Sequence, residues 1–307
     1  MKKVIPLIRH PENPIITPDD MPFRCYTVMN AGATWFDDGV LLLLRVEDCE
    51  RRTLFYTAKS KDGVHFTISD KPIEYPLSKT EKETSAAHRF DMRITKIEDT
   101  YYVCHAAWLG KWGSCIGMAT TEDFVTFQPF DYLSLPSNRN AVLFPEKING
   151  LYARMERPQN IDGKGEMWIN FSPDLVFWGK AMPIKVPDTP WNSGHNGAGA
   201  IPIKTDKGWL EIYHATAPTC SSVNYYLGVM LLDLDDPSKV IVAPRDFILA
   251  AEKEYECMGQ TPNVVFTSGA VVMPDGTLNV YYGGADTRMC LAQTTVDDLL
   301  EYCLHNK

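Results

Sequence analysis

One pattern recurs five times along the 307-residue chain, and it limits the fold more than any other feature. A strand meets a turn containing Asp, Asn or Gly, a second strand ends in polar residues, and a third runs into an acidic turn. The first strands read as Asn30 to Phe36, Asp91 to Ile97, Asn140 to Lys147, Gly197 to Lys204 and Ser268 to Met273, followed by the turns DDG, EDT, ING, DKG and PDG. Such turns between apolar runs are hairpin signals. The second strands (VLLLLRVED, YYVCHAAW, LYARMERP, WLEIYHAT, LNVYYGGAD) are rich in the β-branched, aromatic and aliphatic residues that suit a pleated sheet. Third strands follow, and in three repeats the acidic turn leads into a further strand starting HFTI, TFQPF or FWGKAMPI. The repeats are roughly 50 to 60 residues apart, longer than common propeller repeats, so loops lengthen some of them.

A two-sheet sandwich could hold this many strands. Fivefold recurrence of one strand order is explained more simply by radial repetition, which leaves only short protected edges. The expected fold is an all-β five-bladed β-propeller in which residues 1–307 form a single domain. Only the tail from Val296 to Cys303 reads as a turn or two of helix, which disfavours an α/β fold.

In a propeller the innermost strands line the channel, so equivalent places in the repeats converge in space. Near the starts of the first strands stand Asn30, Asp91 with Arg93, Arg139 with Asn140, His195, and Ser268. Near the ends of the second strands stand Arg45 with Glu47 and Asp48, His105, Glu156 with Arg157, His214, and Asp286. By the period of two along a strand, Arg93 is expected on the same face as Asp91. Any one of these residues could be a solvated strand end. Together, arginines 45, 93, 139 and 157 with His195 and His214 form a local cluster of cationic side chains and imidazoles in a chain of net charge −9, suited to holding a phosphate. Trp35, Trp108, Trp112, Trp178, Trp191, Tyr225 and Tyr226 are candidates to stack on a sugar ring, Tyr225 and Trp108 foremost because polar residues lie beside them.

The same net charge argues against tracking nucleic acid or binding an anionic membrane, since both need a positive surface. The apolar run Val4 to Ile8 is interrupted by Pro6 and is too short for a signal peptide, and nothing approaches a membrane span. The eight cysteines show no paired spacing, and the histidines lie in different repeats, so reduced thiols and no metal site are expected.

Several segments carry a resemblance: NPIITP, FDMRITKIEDTYYV, NRNAVLFPEKING, the RP of MERPQ, GAGAIPI, WLEIYHAT, LLDLDDPSKV, YECMGQTPNVVF and YYGGADT. Over nearly its full length the chain resembles glycoside hydrolase family 130, the inverting β-mannoside phosphorylases. The resemblance implies a five-bladed propeller that cleaves β-mannosides with inorganic phosphate, inverts the anomeric centre and releases α-mannose 1-phosphate. It implies no cofactor beyond phosphate as co-substrate, and a cytoplasmic enzyme, because a sugar phosphate made inside the cell stays there. Oligomeric state is not implied, so a homo-oligomer is compatible with it. Asp91 matches the family's single catalytic acid. Asn30, Arg45 and Asp286 match residues that hold the mannosyl unit, and Arg51 falls at a further substrate-side arginine. Arg139, Asn140, Arg157, His214 and Tyr225 match the phosphate side. His195 stands where the family usually has a phosphate-binding lysine, in His195-Asn196-Gly197-Ala198-Gly199, and Met92 stands where many members have proline.

Ordinary inverting hydrolysis needs two carboxyl groups, an acid and a base that activates water; phosphate arrives already anionic and removes the second requirement. Two rival readings follow. One is an inverting β-mannosidase using water with Glu47, Glu156 or another strand-end carboxylate as base, and His195 in place of lysine favours it. The other is a sugar-binding propeller without catalysis. β-1,2 and β-1,4 linkages, and mannose, glucose or N-acetylglucosamine as acceptor, all stay open at this stage.

Overall fold

The computed structural model describes residues 6–84, 88–160, 165–220 and 222–306, and in it the five repeats are five antiparallel sheets arranged as a five-bladed β-propeller. Blade 1 consists of Cys25–Phe36, Gly39–Asp48, Thr53–Ser60 and Thr67–Ile68. Blade 2 consists of His88–Ile97, Thr100–Trp108, Ser114–Thr121 and Gln128–Pro129. Blade 3 consists of Asn138–Leu143, Tyr152–Pro158, Trp168–Ser172 and Gly179–Pro183. In blade 4, Trp209–Pro218 pairs with Val223–Leu232, which is edged by Val240–Val242 and Leu249–Ala250. The acidic turns after the third strands share one construction in blades 1 to 3: Asp62, Asp123 and Asp174 each accept from two backbone N–H groups further along the turn.

Blade 5 takes its fourth strand from the other end of the chain. Val265–Val272, Thr277–Gly284 and Arg288–Thr295 are completed by Ile8–Arg9, with Ile8 opposite Gln293 and Arg9 opposite Ala292. The join is reinforced beneath the sheet. Arg9 Nε donates to Glu256 Oε1 at 2.7 Å, and the Tyr282 hydroxyl donates to the same oxygen at 2.8 Å. Glu256 is fully buried, so removing Arg9 would leave its carboxylate charge poorly compensated.

Some expected boundaries shift for local reasons. The inner strand of blade 3 ends at Leu143, just before Pro145, rather than at Lys147. In blade 4 the expected strand from Gly197 to Lys204 is two pieces, Asn196–Ala198 and Ile203–Lys204. Between them the amides of Gly199 and Ala200 both reach Ile212 O, and Pro202 has no N–H to continue the ladder. The helical tail is present as Val296–His305, capped by the Thr295 side chain, which accepts from Asp298 N. It buries Leu299, Tyr302 and Cys303 in the core shared by blades 4 and 5. Two short helices, Lys79–Thr84 and Glu254–Cys257, were not expected from the periodicity.

The feature that builds the channel mouth is a bulge repeated near the start of the inner strands. In blades 1, 2 and 3 the pairing with the second strand slips by one residue, between Met29 and Gly32, Phe90 and Arg93, and Arg139 and Val142. The first residue of each slip, Asn30, Asp91 and Asn140, has positive φ (47°, 54° and 56°). Blade 5 slips at the matching place, between Thr267 and Gly269. A bulge of this kind re-aims a side chain out of the sheet's alternation. Short polar side chains such as Asn and Asp tolerate the left-handed backbone better than other residues.

Among the described residues no helix is long and apolar enough to cross a membrane, and no group of three or more His, Cys, Asp and Glu side chains could hold a metal ion.

Candidate active site

Asp91 sits on the blade 2 bulge and is held from blade 1. Its Oδ1 accepts from Asn30 Nδ2 at 3.2 Å and from Arg45 Nη1 at 3.1 Å, leaving Oδ2 outside both contacts. Arg45 in turn lies 5.5 Å over the Phe90 ring. Blade 5 contributes Asp286, also at positive φ, within interaction range of Asn30, Thr261, Arg45 and Asp91; burial pushes its carboxyl upward from the usual range. Four residues from three blades thus meet at one point.

The second cluster comes from blades 3 and 4. Arg139 and Arg157 are cross-strand partners. Arg139 is fixed by Gln159, whose Oε1 accepts from Nε at 3.0 Å and from Nη2 at 2.7 Å. Arg157 is buried, with Nη1 3.0 Å from His214 Nε2. Burial, and after it the charge of Arg139, bring the Arg157 guanidinium down to about 9, which still leaves it cationic at neutral pH. The rings of His195, His214 and Tyr225 converge, with centroids 5.8 to 6.3 Å apart. Tyr225 interacts electrostatically with Arg157, Asp286, Asp91 and Arg139, which joins the two clusters into one site.

Several buried polar atoms in this second cluster, among them Arg157 Nε, Asn140 Oδ1 and His195 Nε2, have no hydrogen-bond partner among the described residues. Buried groups left unpaired are costly, and a compact set of them beside two arginines is suited to a polar anionic ligand. Gly197 makes the packing feasible. A Cβ there would lie 2.7 Å from His214 Cε1 and 3.3 Å from Arg157 Cδ.

Both histidines are neutral in the folded protein. Burial, then the charges of Arg157 and Arg139, holds His195 down to about 3, and burial with Arg157 holds His214 well below its ordinary value. The unfolded chain takes up these protons near pH 6.5, so below that pH it binds more protons than the folded one and stability falls on acidification. The variant His195→Gln is therefore expected to lose less stability than the wild type between pH 7 and pH 5, by about 2 kcal/mol, in urea titrations at the two pH values. Equal losses for both proteins would contradict a neutral His195.

Arg93 does not share a face with Asp91 as the strand period predicts, because the bulge lies between them. It turns beneath the site, 1% exposed, and donates to Asp91 O (2.9 Å), Gly199 O (2.9 Å) and Ala198 O (3.0 Å). It is a clamp between the strand carrying Asp91 and the strand after His195, rather than part of the cationic lining. Below it Glu211 is fully buried, accepts from Gly199 N, and is raised by burial well above the ordinary carboxyl range. The strand-pattern reading missed both roles. The signal was a charged residue inside an otherwise apolar segment, Met92-Arg93-Ile94 and Leu210-Glu211-Ile212.

Other candidates fall elsewhere. Arg51 lies at the rim, exposed, donating to Glu47 Oε1 at 2.6 Å with its guanidinium over Tyr26. Arg45, Glu47, Arg51, His88, Phe90 and Trp108 border a rim pocket of about 400 Å³ next to Asp91. Glu47 also accepts from Gln260, and Glu156 turns away from the channel to pair with Arg154 at 2.8 Å. His105 lies outside the channel, against Glu81 and Tyr75. Of the aromatic candidates, Tyr225 lies in the site and Trp108 at its rim, whereas Trp35, Trp191 and Tyr226 pack in the core and Trp178 lines a groove between blades.

Comparison with known proteins agrees over almost the whole chain. The family model described as beta-1,4-mannooligosaccharide phosphorylase, of glycoside hydrolase family 130, matches residues 8–305. A beta-1,4-mannooligosaccharide phosphorylase of Ruminococcus albus is 36% identical over 305 residues, covering 96% of this chain and 90% of the relative. A 1,2-beta-oligomannan phosphorylase of a Thermoanaerobacter species is 35% identical over 309 residues, covering 96% and 99%. The solved structure of a beta-1,2-mannobiose phosphorylase from Listeria innocua in complex with beta-1,2-mannobiose superposes with a TM-score of 0.86 at 30% identity, covering 97% of this chain and 99% of that one.

Proposed function

The chain belongs to glycoside hydrolase family 130, and from that premise we propose that it cleaves a β-mannoside with inorganic phosphate, with inversion, to α-mannose 1-phosphate. The observation that carries this reading is the pairing of one carboxylate, Asp91, with a buried cluster of two arginines and unpartnered polar atoms. Arg139, Asn140, Arg157, His195, His214 and Tyr225 hold phosphate. Asn30, Arg45 and Asp286 hold the mannosyl unit, and the rim pocket with Arg51 and Trp108 takes the sugar that leaves. The relatives are named for both β-1,4 and β-1,2 linkages at nearly equal identity, so the linkage is set by that rim pocket rather than by the shared core.

In this mechanism Asp91 is the general acid. Arg45 and Asn30 both occupy Oδ1, so Oδ2 carries the proton to the glycosidic oxygen, directly or through a mannose hydroxyl. A phosphate oxygen attacks C1 from the opposite face, the C1–O bond breaks, and the departing hydroxyl keeps the proton. Arg139 and Arg157 orient the phosphate and balance its charge. Phosphate is the only co-substrate, and we place the reaction in the cytoplasm, where its product is retained. Hydrolysis is the weaker reading because Glu47 and Glu156, the carboxylates that would serve as base, are engaged by Arg51 and Arg154.

A panel of β-1,2- and β-1,4-linked mannosides incubated with and without phosphate tests this. Mannose 1-phosphate is expected only with phosphate and with at least one substrate. Equal release of free mannose without phosphate would overturn the reading.

A further inference from the structure

The connections between blades differ, and the difference opens a second concave site. Between blades 1 and 2 the connection carries the helix Lys79–Thr84, which buries Glu81 against Arg89 (2.8 Å) and His105 (3.2 Å). Between blades 2 and 3 the connection is only residues 130–137, and beside it lies a groove of about 420 Å³. That volume falls within the range of small-molecule sites.

The floor of this groove is built from polar side chains where another blade has core. Arg45 and Arg157 occupy the same place relative to their bulges, which aligns Arg154 and Glu156 of blade 3 with Leu42 and Leu44 of blade 1. Both leucines are fully buried in apolar core. Arg154 and Glu156 instead face the groove with Asn138 and Asn170, each at most 7% exposed. Their hydrogen-bonding capacity is only partly used within the protein. Arg154 bonds Glu156 through Oε2 alone, Asn138 accepts from Arg139 N through Oδ1, and the Asn170 amide has no hydrogen-bond partner among the described residues. At the rim stand Tyr132, 36% exposed, and Phe177, 74% exposed.

We propose that this groove binds a hexose unit of a β-mannoside at a site distinct from that of Asp91. The chemistry selects a neutral ligand with several hydroxyls. The Arg154–Glu156 pair cancels its own charge, the two amides and Glu156 Oε1 offer donors and acceptors, and the exposed rings supply an apolar face for a pyranose. The choice of mannose rests on the β-mannoside reading of the active site; the polar floor and open groove do not. Asn138 and Glu156 are the chain neighbours of Arg139 and Arg157 and lie on the opposite side of the same two strands, so the groove is separated from the phosphate arginines by the sheet itself.

The test is calorimetric titration of the Asp91→Asn protein, which binds without turnover, with β-1,2- and β-1,4-mannobiose. Two sites per chain are expected for at least one disaccharide. Adding Phe177→Ser, a change at an exposed rim position, or Asn170→Ala on the floor, should weaken the second site at least tenfold and leave the first unchanged. In the otherwise wild-type enzyme Phe177→Ser should leave kcat on a disaccharide unchanged. A single site, or two sites indifferent to both substitutions, overturns the proposal, as does a dimer in sedimentation that Phe177→Ser dissociates. If instead the wild-type protein cleaves no β-mannoside with phosphate, it is the active-site reading that falls; a groove that then still binds mannose, with loss on Phe177→Ser, upholds the second site.

Discussion

Replacing Asp91 with Asn is expected to lower kcat for phosphorolysis by about 10³-fold or more, within the upper range for removing a general acid. The substitution isolates the proton. An amide oxygen at Oδ1 can still accept from Asn30 and Arg45, so the bulge and the mannosyl contacts persist while the group that protonates the leaving oxygen is lost. The loss should therefore depend on the leaving group. A natural disaccharide, whose sugar alkoxide is a poor leaving group, should show the full effect, and an activated aryl mannoside, which needs little protonation, should recover most of the rate. Initial rates on both substrates, with circular dichroism to establish folding, check this. An equal loss on both would move Asp91 from acid to binding residue, and unchanged turnover would mean that another group supplies the proton.

The second large effect is expected at Arg157. Changing it to Met should raise the KM for phosphate about 10²-fold, the equivalent of one or two hydrogen bonds to a charged group, while the KM for the mannoside moves little. The selectivity follows from position. Arg157 contacts His214 and pairs across the strands with Arg139, whereas the carboxylate of Asp91 is held by Asn30 and Arg45. Steady-state kinetics with each substrate varied in turn separates the two. A rise in mannoside KM alone would place Arg157 on the sugar side and undo the division of the site.

Much of this architecture is legible in the sequence because strand order and turn chemistry are local, and they recur. The five hairpins, the acidic turns and the helical tail all follow from short segments. The site is legible to the extent that it lies at repeat-equivalent positions: Asn30, Asp91 and Asn140 stand at matching places, and the structure shows why, since each begins a bulge with positive φ. What the sequence hides is what a bulge does to alternation. Counting by twos puts Arg93 beside the Asp91 side chain, and one extra residue sends it beneath the site to three backbone carbonyls. Glu156 was misdirected for a related reason, because strand-end position alone does not tell which face of the blade a side chain takes. The neutrality of His195 was equally out of reach, since it depends on burial and on two arginines far away in sequence.

The strand Ile8–Arg9 and its partner Arg288–Thr295 also set the order in which the protein can be made. Ile8–Arg9 has no edge to join until its partner, about 280 residues further along, has been made, so until then the ring has a gap. Asp286, which completes the surroundings of Asp91, comes from that same late blade. Blades folded early wait with an unpaired flank, and contacts this distant in sequence form slowly. The acid therefore acquires its finished pocket only at the step that shuts the ring.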